Sequence, residues 1–429
     1  MQKFELRQWP VMEEAERRLR YVDALFGKRV HQKELRIYGG IISRLKEKHK
    51  LLRREQLEIR HEVDVKNFRL SLGSEMISFL QSFCSYLYIG GSLVKGMITV
   101  GQFTQYFQAV SSFIKSAGGV LDYFRFLKSN GKYLQVYREF MGIRNQIADG
   151  GGVGVEKISE KLKKDFTLEL KDVHFRYAGS SKDAVDGMEV SLRKGKFYMV
   201  AGENGAGKTT LACLLCRLYD PSGGAILLNG RDIREYDCSE YRKMFSMVFQ
   251  DFKYYAFSIA ENVAVESYDR EDAAQRERIQ EALRKSGLWE KVSALPKGMD
   301  TPLERIFDEG GVNLSGGEAQ KLALARALYR GGEILILDEP SSALDPKAED
   351  ELISRFREIS DNRLVIYISH RLTCSQSADE ILYIRDGRVA EKGTHEELMH
   401  AGGQYAELYN AQAQYYVYGR KAFQGEKMK

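Results

Sequence analysis

Cysteine is sparse in this chain and forms no framework. Its five copies among 429 residues, Cys84, Cys213, Cys216, Cys238 and Cys374, show no disulfide-type spacing and suit a reducing compartment. Cys213 and Cys216 do spell a CxxC, but inside an apolar helical pattern where buried helix packing is the better reading. Equally missing is any sequence cluster with metal-ligand spacing. Neither sign of charge dominates: a formal net charge of +5 argues neither for nucleic acid nor against it. Met1 to Arg20 is polar and charged, without the apolar core of a secretory signal.

What is present divides near Gly150. Asp149-Gly150-Gly151-Gly152-Val153-Gly154 is the clearest linker, because stacked glycines cost entropy to order and supply no packing. The expected layout is a helical region over 1–148, a linker over 149–163, a nucleotide-binding domain over 164–415 and a polar tail over 416–429. Beyond the linker, Phe166 to Leu170, Phe197 to Ala201, Ala225 to Leu228, Ile334 to Leu337 and Leu364 to Ser369 read as strands among helical patterns. Several are continuous apolar runs, as for strands buried on both faces of a sheet flanked by helices. This half is expected to be α/β.

The first half reads as helices. Its opening is rich in Arg, Lys and Glu; then Leu70 to Val94 carries one charge, Glu75, and Gly96 to Ile114 carries none. About 20 such residues are enough to cross a bilayer core as a helix. Ser71, Ser74, Ser78, Ser82 and Ser85 form one stripe of the first stretch, opposite Leu72, Met76, Phe79, Leu80, Phe83 and Leu87. Such a stripe suits close helix packing or a polar path within a membrane, and an amphipathic helix of a soluble bundle is the alternative. The distribution of Lys and Arg, dense over Lys28 to Arg69 and again at Arg125, Lys128 and Lys132, but only Lys95 between the stretches, places both ends of the hairpin on the cytoplasmic side.

Gly202-Glu203-Asn204-Gly205-Ala206-Gly207-Lys208-Thr209 has the form GxxxxGK[ST], placed after a strand and before a helix. The glycines let the backbone wrap so that successive N–H groups point at phosphate oxygens, and the following helix adds its N-terminal dipole. Lys208 is expected to bridge the β- and γ-phosphates, Thr209 to ligate Mg²⁺, and Thr210 to bind ATP beside them.

Leu314-Ser315-Gly316-Gly317-Glu318, followed by Ile334-Leu335-Ile336-Leu337-Asp338-Glu339, resembles the signature of ATP-binding cassette (ABC) ATPases. The resemblance implies an ABC-type P-loop NTPase fold, and an ATPase that binds ATP and Mg²⁺. It makes Asp338, with Thr209 and Gln250, the Mg²⁺-side residues and Glu339 the general base, with Lys208 and His370 beside it in catalysis. Tyr177 matches the aromatic that stacks on adenine, Gln250 the loop glutamine, His370 the switch histidine, and Pro340-Ser341-Ser342-Ala343-Leu344-Asp345 the loop that communicates across a dimer. Leu314 to Glu318 would meet the γ-phosphate of ATP held by a second chain. With one cradle and one signature, this chain is implied to work as a dimer, homo- or hetero-. Glu318 departs from the glutamine that is commonest there.

The segments Arg17 to Phe26 and Lys33 to Gly39 look like the second cytoplasmic loop of an ABC exporter, with a short coupling helix near Tyr21 to Phe26 and a long helix after Lys33 rising into the membrane. An exporter half normally has six membrane helices, and this chain has room for two. It therefore reads as an N-terminally truncated half-transporter or a piece of a longer product. The resemblance implies ATP hydrolysis coupled to translocation of an unidentified substrate, in contact with membrane lipid and without nucleic acid. It also implies a multi-pass cell-membrane protein whose ATPase domain is cytoplasmic. The alternatives are a soluble ABC ATPase acting on translation or DNA, and a remnant that hydrolyses ATP without transport.

Overall fold

The computed structural model describes residues 2–27, 29–143, 165–265, 268–340, 362–372 and 374–412, together with 147, 349, 353–354 and 356–358. The expected linker, the segment 341–345 and the tail lie outside these residues. Two compact units result, Met1–Arg144 and Asn145–Lys429.

The first unit is all helical: α1 (Gln2–Gly27), α2 (Arg29–Ile37), α3 (Gly39–Val94) and α4 (Val100–Met141). Leu19 and Val22 of α1 pack on Leu52 of α3, and His49 lies 3.1 Å from Asp23. The expected coupling helix does not stand alone here. Tyr21 to Phe26 are the end of α1, and the separate short helix is the nine-residue α2. The long helix starts at Gly39, after a break at Tyr38, rather than directly after Lys33. The turn into α4 uses Gly96 at φ 72° and a reciprocal cap, with Gln102 N–H on Thr99 Oγ1 at 3.3 Å and Thr99 N–H on Gln102 Oε1 at 2.9 Å. Tyr86 stacks on Phe107 with ring centroids 4.5 Å apart, and its hydroxyl meets Ser111 Oγ at 3.0 Å, joining α3 to α4.

Phe79, 72% exposed, stands with Met76, Leu80 and Leu87 on a bare apolar face of α3. Among the described residues α3 is the one helix long and apolar enough to cross a membrane. The second expected span, in α4, is diluted by Gln102, Thr104, Gln105, Gln108, Ser111 and Ser112 and falls short of that measure.

The second unit holds two sheets. β1 (Thr167–Phe175), β2 (Val185–Arg193), β4 (Gly223–Leu228) and β5 (Arg231–Asp232) form an antiparallel sheet in the order β2-β1-β4-β5. β3 (Phe197–Ala201), β6 (Phe245–Val248), β7 (Ile334–Asp338), β8 (Leu364–Ile368), β9 (Glu380–Arg385) and β10 (Arg388–Gly393) form the other, in the order β10-β9-β3-β8-β7-β6. All of the second sheet is parallel except the β9–β10 edge. β3, β7 and β8 are buried at every position, as their unbroken apolar sequences require.

The unit's helices include α5 (Lys208–Leu215), α6 (Cys238–Lys243), α7 (Ile259–Ala264), α8 (Ala273–Lys285), α9 (Trp289–Ser293), α10 (Gly316–Arg330) and α11 (His395–Ala401). Ile259, Val263, Ile279, Leu283, Leu288 and Leu322 join α7 to α10 in a separate helical core. The sheets thus present strand ends at one edge, while the helical core carries the start of α10.

Candidate nucleotide-binding site

β3 ends at Ala201 and α5 begins at Lys208; the chain between them is the cradle. Gly202 sits at φ 146°, where an added Cβ would lie 2.2 Å from Ile384 O, and Gly207 at φ 104°, where it would lie 2.4 Å from Ala184 O. Only glycine fits either place. Lys208 Nζ donates to the carbonyls of Gly202 and Glu203, both at 2.8 Å. Burial pulls its ammonium below the ordinary lysine value, opposed by the carboxylates of Glu339 and Asp338. The cradle thus holds a desolvated cation that a polyphosphate would complete.

At the next residue, Thr209 Oγ1 donates to Asp338 Oδ2 at 2.8 Å. Asp338 closes β7 and is 2% exposed; burial pushes its carboxyl up, opposed by the Thr209 hydrogen bond. Glu339 follows in the left-handed region at φ 49°, a conformation costly outside glycine and concentrated at functional sites. Its N–H donates to Ile368 O at 2.9 Å. β7 and β8 pair in parallel with Asp338 opposite Ile368, which sets the residues after each strand side by side. Glu339 Oε1 accordingly lies 3.1 Å from His370 Nδ1, while Gln250 Nε2 donates to Oε2 at 3.0 Å. Gln250 follows β6, the neighbour of β7 on its other side.

Tyr177 is half-exposed beyond β1. Its hydroxyl meets Thr210 Oγ1 at 3.2 Å and its ring makes edge contacts with Phe175 and Tyr219 at 4.9 and 5.5 Å. Glu203, Asn204, Gly205 and Ala206 complete the cradle. Cys213 and Cys216 lie on or beside α5, and burial pushes the Cys216 thiol up to about 12, which is packing rather than reactivity.

Leu314 to Glu318 lie elsewhere in the unit, at the start of α10. Ser315 caps it reciprocally: Glu318 N–H donates to Ser315 Oγ at 3.3 Å, and Ser315 N–H to Glu318 Oε2 at 2.9 Å. The hydrogen bond from Ser315 N–H holds the Glu318 carboxyl below its usual range, with Lys291 3.4 Å away contributing. This accounts for the departure from glutamine, since a carboxylate serves the cap as well as a carboxamide does. Gln320 Nε2, further along α10, donates to Pro340 O and ties the helix to the loop after Glu339.

Sequence reading passed over His174, Asp183 and Asp186, whose ligand atoms lie within 4.8 Å of one another. Their carboxylates are already engaged, Asp183 by Arg176 at 2.7 Å and Asp186 by Arg388 at 2.6 Å, so the group is a charge network. It missed Gln412 as well, because that residue acts on main chain and belongs to no motif.

Fold and cradle define a P-loop nucleotide-binding domain. Residues 185–342 match the family model described as ABC transporter, and in its order, a helical region followed by the cassette, the chain resembles the exporter-type half-transporters of that family. It is 32% identical over 338 residues to an ATP-dependent lipid A-core flippase of Vibrio cholerae, covering 79% of this chain and 56% of the relative. To the flippase of that description from Burkholderia pseudomallei it is 38% identical over 62% of this chain and 42% of the relative. The chain therefore spans about half the length of these relatives. A solved bacterial Atm1-family ABC exporter with ATP bound is similar over 96% of this chain and 69% of its own, with a TM-score of 0.82 and 25% identity.

Proposed function

We propose that the chain is the ATP-binding subunit of an ABC exporter, hydrolysing ATP in a dimer and coupling that to movement of a substrate across a membrane. The observation that carries it is the Glu339 carboxylate, held between Gln250 and His370 at the ends of three adjacent strands. A base must be oriented before it can take a proton from water in line with a phosphoryl group. Two hydrogen-bonding partners, one on each oxygen, give Glu339 that orientation.

The other residues follow from their chemistry. Backbone N–H groups from Gly202 to Thr209 wrap the phosphates, and Lys208 leaves its carbonyl partners for phosphate oxygens. His370 contacts the γ-phosphate and Tyr177 stacks on the base. Thr209, Asp338 and Gln250 form an all-oxygen donor set of the hard kind that Mg²⁺ takes. When bound, the ion would neutralise charge developing on the phosphates. Ser315 and Gly316 are exposed at the start of α10, where the Ser315 hydroxyl and the Gly316 N–H would meet ATP on a second copy or a related half.

The bare apolar face of α3 fits lipid contact, with the cassette on the cytoplasmic side. A second crossing by α4 is part of the proposal, as are the domain limits 1–148, 149–163, 164–415 and 416–429. The short α2 is the candidate coupling helix. Since the relatives are named as lipid A-core flippases, we infer an amphipathic lipid as the cargo class. Those names and the exporter neighbour favour this reading over a soluble ATPase acting on translation or DNA.

Reconstitution in lipid vesicles tests it. ATP turnover together with movement of a labelled amphipathic lipid, both lost in Glu339→Gln, is the expected result. Turnover without movement, with or without a second half-transporter, would identify an ATPase that does not transport; no turnover at all would overturn the proposal.

A further inference from the structure

The main chain beside His370 is gripped by a side chain from a distant helix. After β8, Ser369 N–H donates to Val200 O at 3.2 Å and Arg371 N–H to Ser369 Oγ at 2.9 Å. Two further main-chain groups, the carbonyl of His370 and the N–H of Leu372, need partners. Gln412 supplies both. Its Nε2 donates to His370 O at 2.7 Å and its Oε1 accepts from Leu372 N–H at 3.0 Å. A carbonyl needs a donor and an N–H needs an acceptor, so the amide orientation is forced.

The residue that does this is itself firmly placed. Gln412 lies on a helix, 404–412, that follows α11. At the start of that helix, Gln404 and Tyr405 N–H donate to the two carboxylate oxygens of Glu391 in β10, at 2.6 and 3.2 Å. Tyr405 is fully buried, and its hydroxyl meets His395 Nδ1 at 2.8 Å. Tyr409 stacks beside it, 4.8 Å from the His395 ring. One end of the helix is therefore fastened to the sheet and the other grips the loop.

We propose that Gln412 is a positioning residue for His370. It clamps the backbone on either side of Arg371, so the imidazole meets Glu339 and the γ-phosphate from a fixed point. The proposal rests on the reading of His370 as the γ-phosphate contact. Losing the clamp frees a loop rather than a ligand, so the effect belongs in turnover and not in nucleotide affinity.

The test uses the full chain. Gln412→Ala should lower kcat for ATP roughly five- to tenfold, the net worth of two hydrogen bonds, with KM unchanged. Gln412→Glu keeps the acceptor for Leu372 but faces the His370 carbonyl with an oxygen, so it should not restore the rate. In a His370→Ala background, Gln412→Ala should change the residual rate no further, which a merely structural role would not predict. Wild-type kcat in Gln412→Ala, or equal losses in both backgrounds, would overturn the clamp alone. Wild-type turnover in His370→Ala would overturn both the clamp and the functional reading beneath it.

Discussion

Glu339 and His370 lie 31 residues apart in sequence and 3.1 Å apart in space, because the strands that precede them pair in parallel. Their contact makes Glu339 sensitive to a change that keeps its shape and removes its charge. Glu339→Gln should cut turnover about 10²–10⁴-fold while ATP still binds. Steady-state hydrolysis and equilibrium nucleotide binding on one preparation check it, and undiminished turnover would remove Glu339 from the role of base.

The cradle glycines separate two costs. Gly205→Ala adds a Cβ that meets nothing within 4 Å at φ 79°, so it should cost only backbone strain, roughly 1–2 kcal/mol. Gly202→Ala adds the same atom 2.2 Å from Ile384 O and must move the end of β9 as well. Its melting temperature should fall further and its ATP binding should fail. Equal melting temperatures would show that β9 yields freely there.

Thr209→Ala removes a hydroxyl that reaches Asp338 and is proposed to ligate Mg²⁺. The Mg²⁺ concentration for half-maximal turnover should rise on the order of 10–100-fold, and chelation should stop the wild-type reaction. Turnover insensitive to a chelator would exclude the metal.

Glu318 gives a pH signature. Its native value is depressed from 4.5, so its share of stability is fully present above the unfolded value and is lost as pH falls through the lower native one. Glu318→Gln keeps the cap without that titration. The melting-temperature gap between the two proteins should be constant well above pH 4.5 and shrink as pH falls below it. A gap that widens in acid would contradict the sign.

The β3 segment Phe197 to Ala201 was legible to the residue because an apolar run between turn signals leaves little choice. β1 was not: it continues to Phe175 through register shifts after Leu170 and Val173, with Asp172 at φ 47°, so the alternation that marks a strand is interrupted. β2 alternates cleanly over Met188 to Arg193 and was passed over, whereas β10 alternates too weakly, and β6 is too short, to stand out. The site residues were visible because each sits in a motif, whereas their mutual contacts depend on strand order. The break at Tyr38 was hidden, since no side chain caps α3 there. Gln412 left no trace because both groups it holds are main chain, which carries no side-chain pattern.

The length of α3 has a mechanical consequence. At 1.5 Å per residue its 56 residues reach about 84 Å, and a hydrocarbon core takes up about 30 Å of that. More than half of the rod therefore stands clear of any bilayer it crosses. An unkinked rod pivoting near the boundary sweeps its free arm farther than its immersed arm, in the ratio of their lengths. Ångström-scale displacements at the Gly39 end then become smaller, stronger ones around Tyr86, the proportion wanted where its stack on Phe107 must be prised apart.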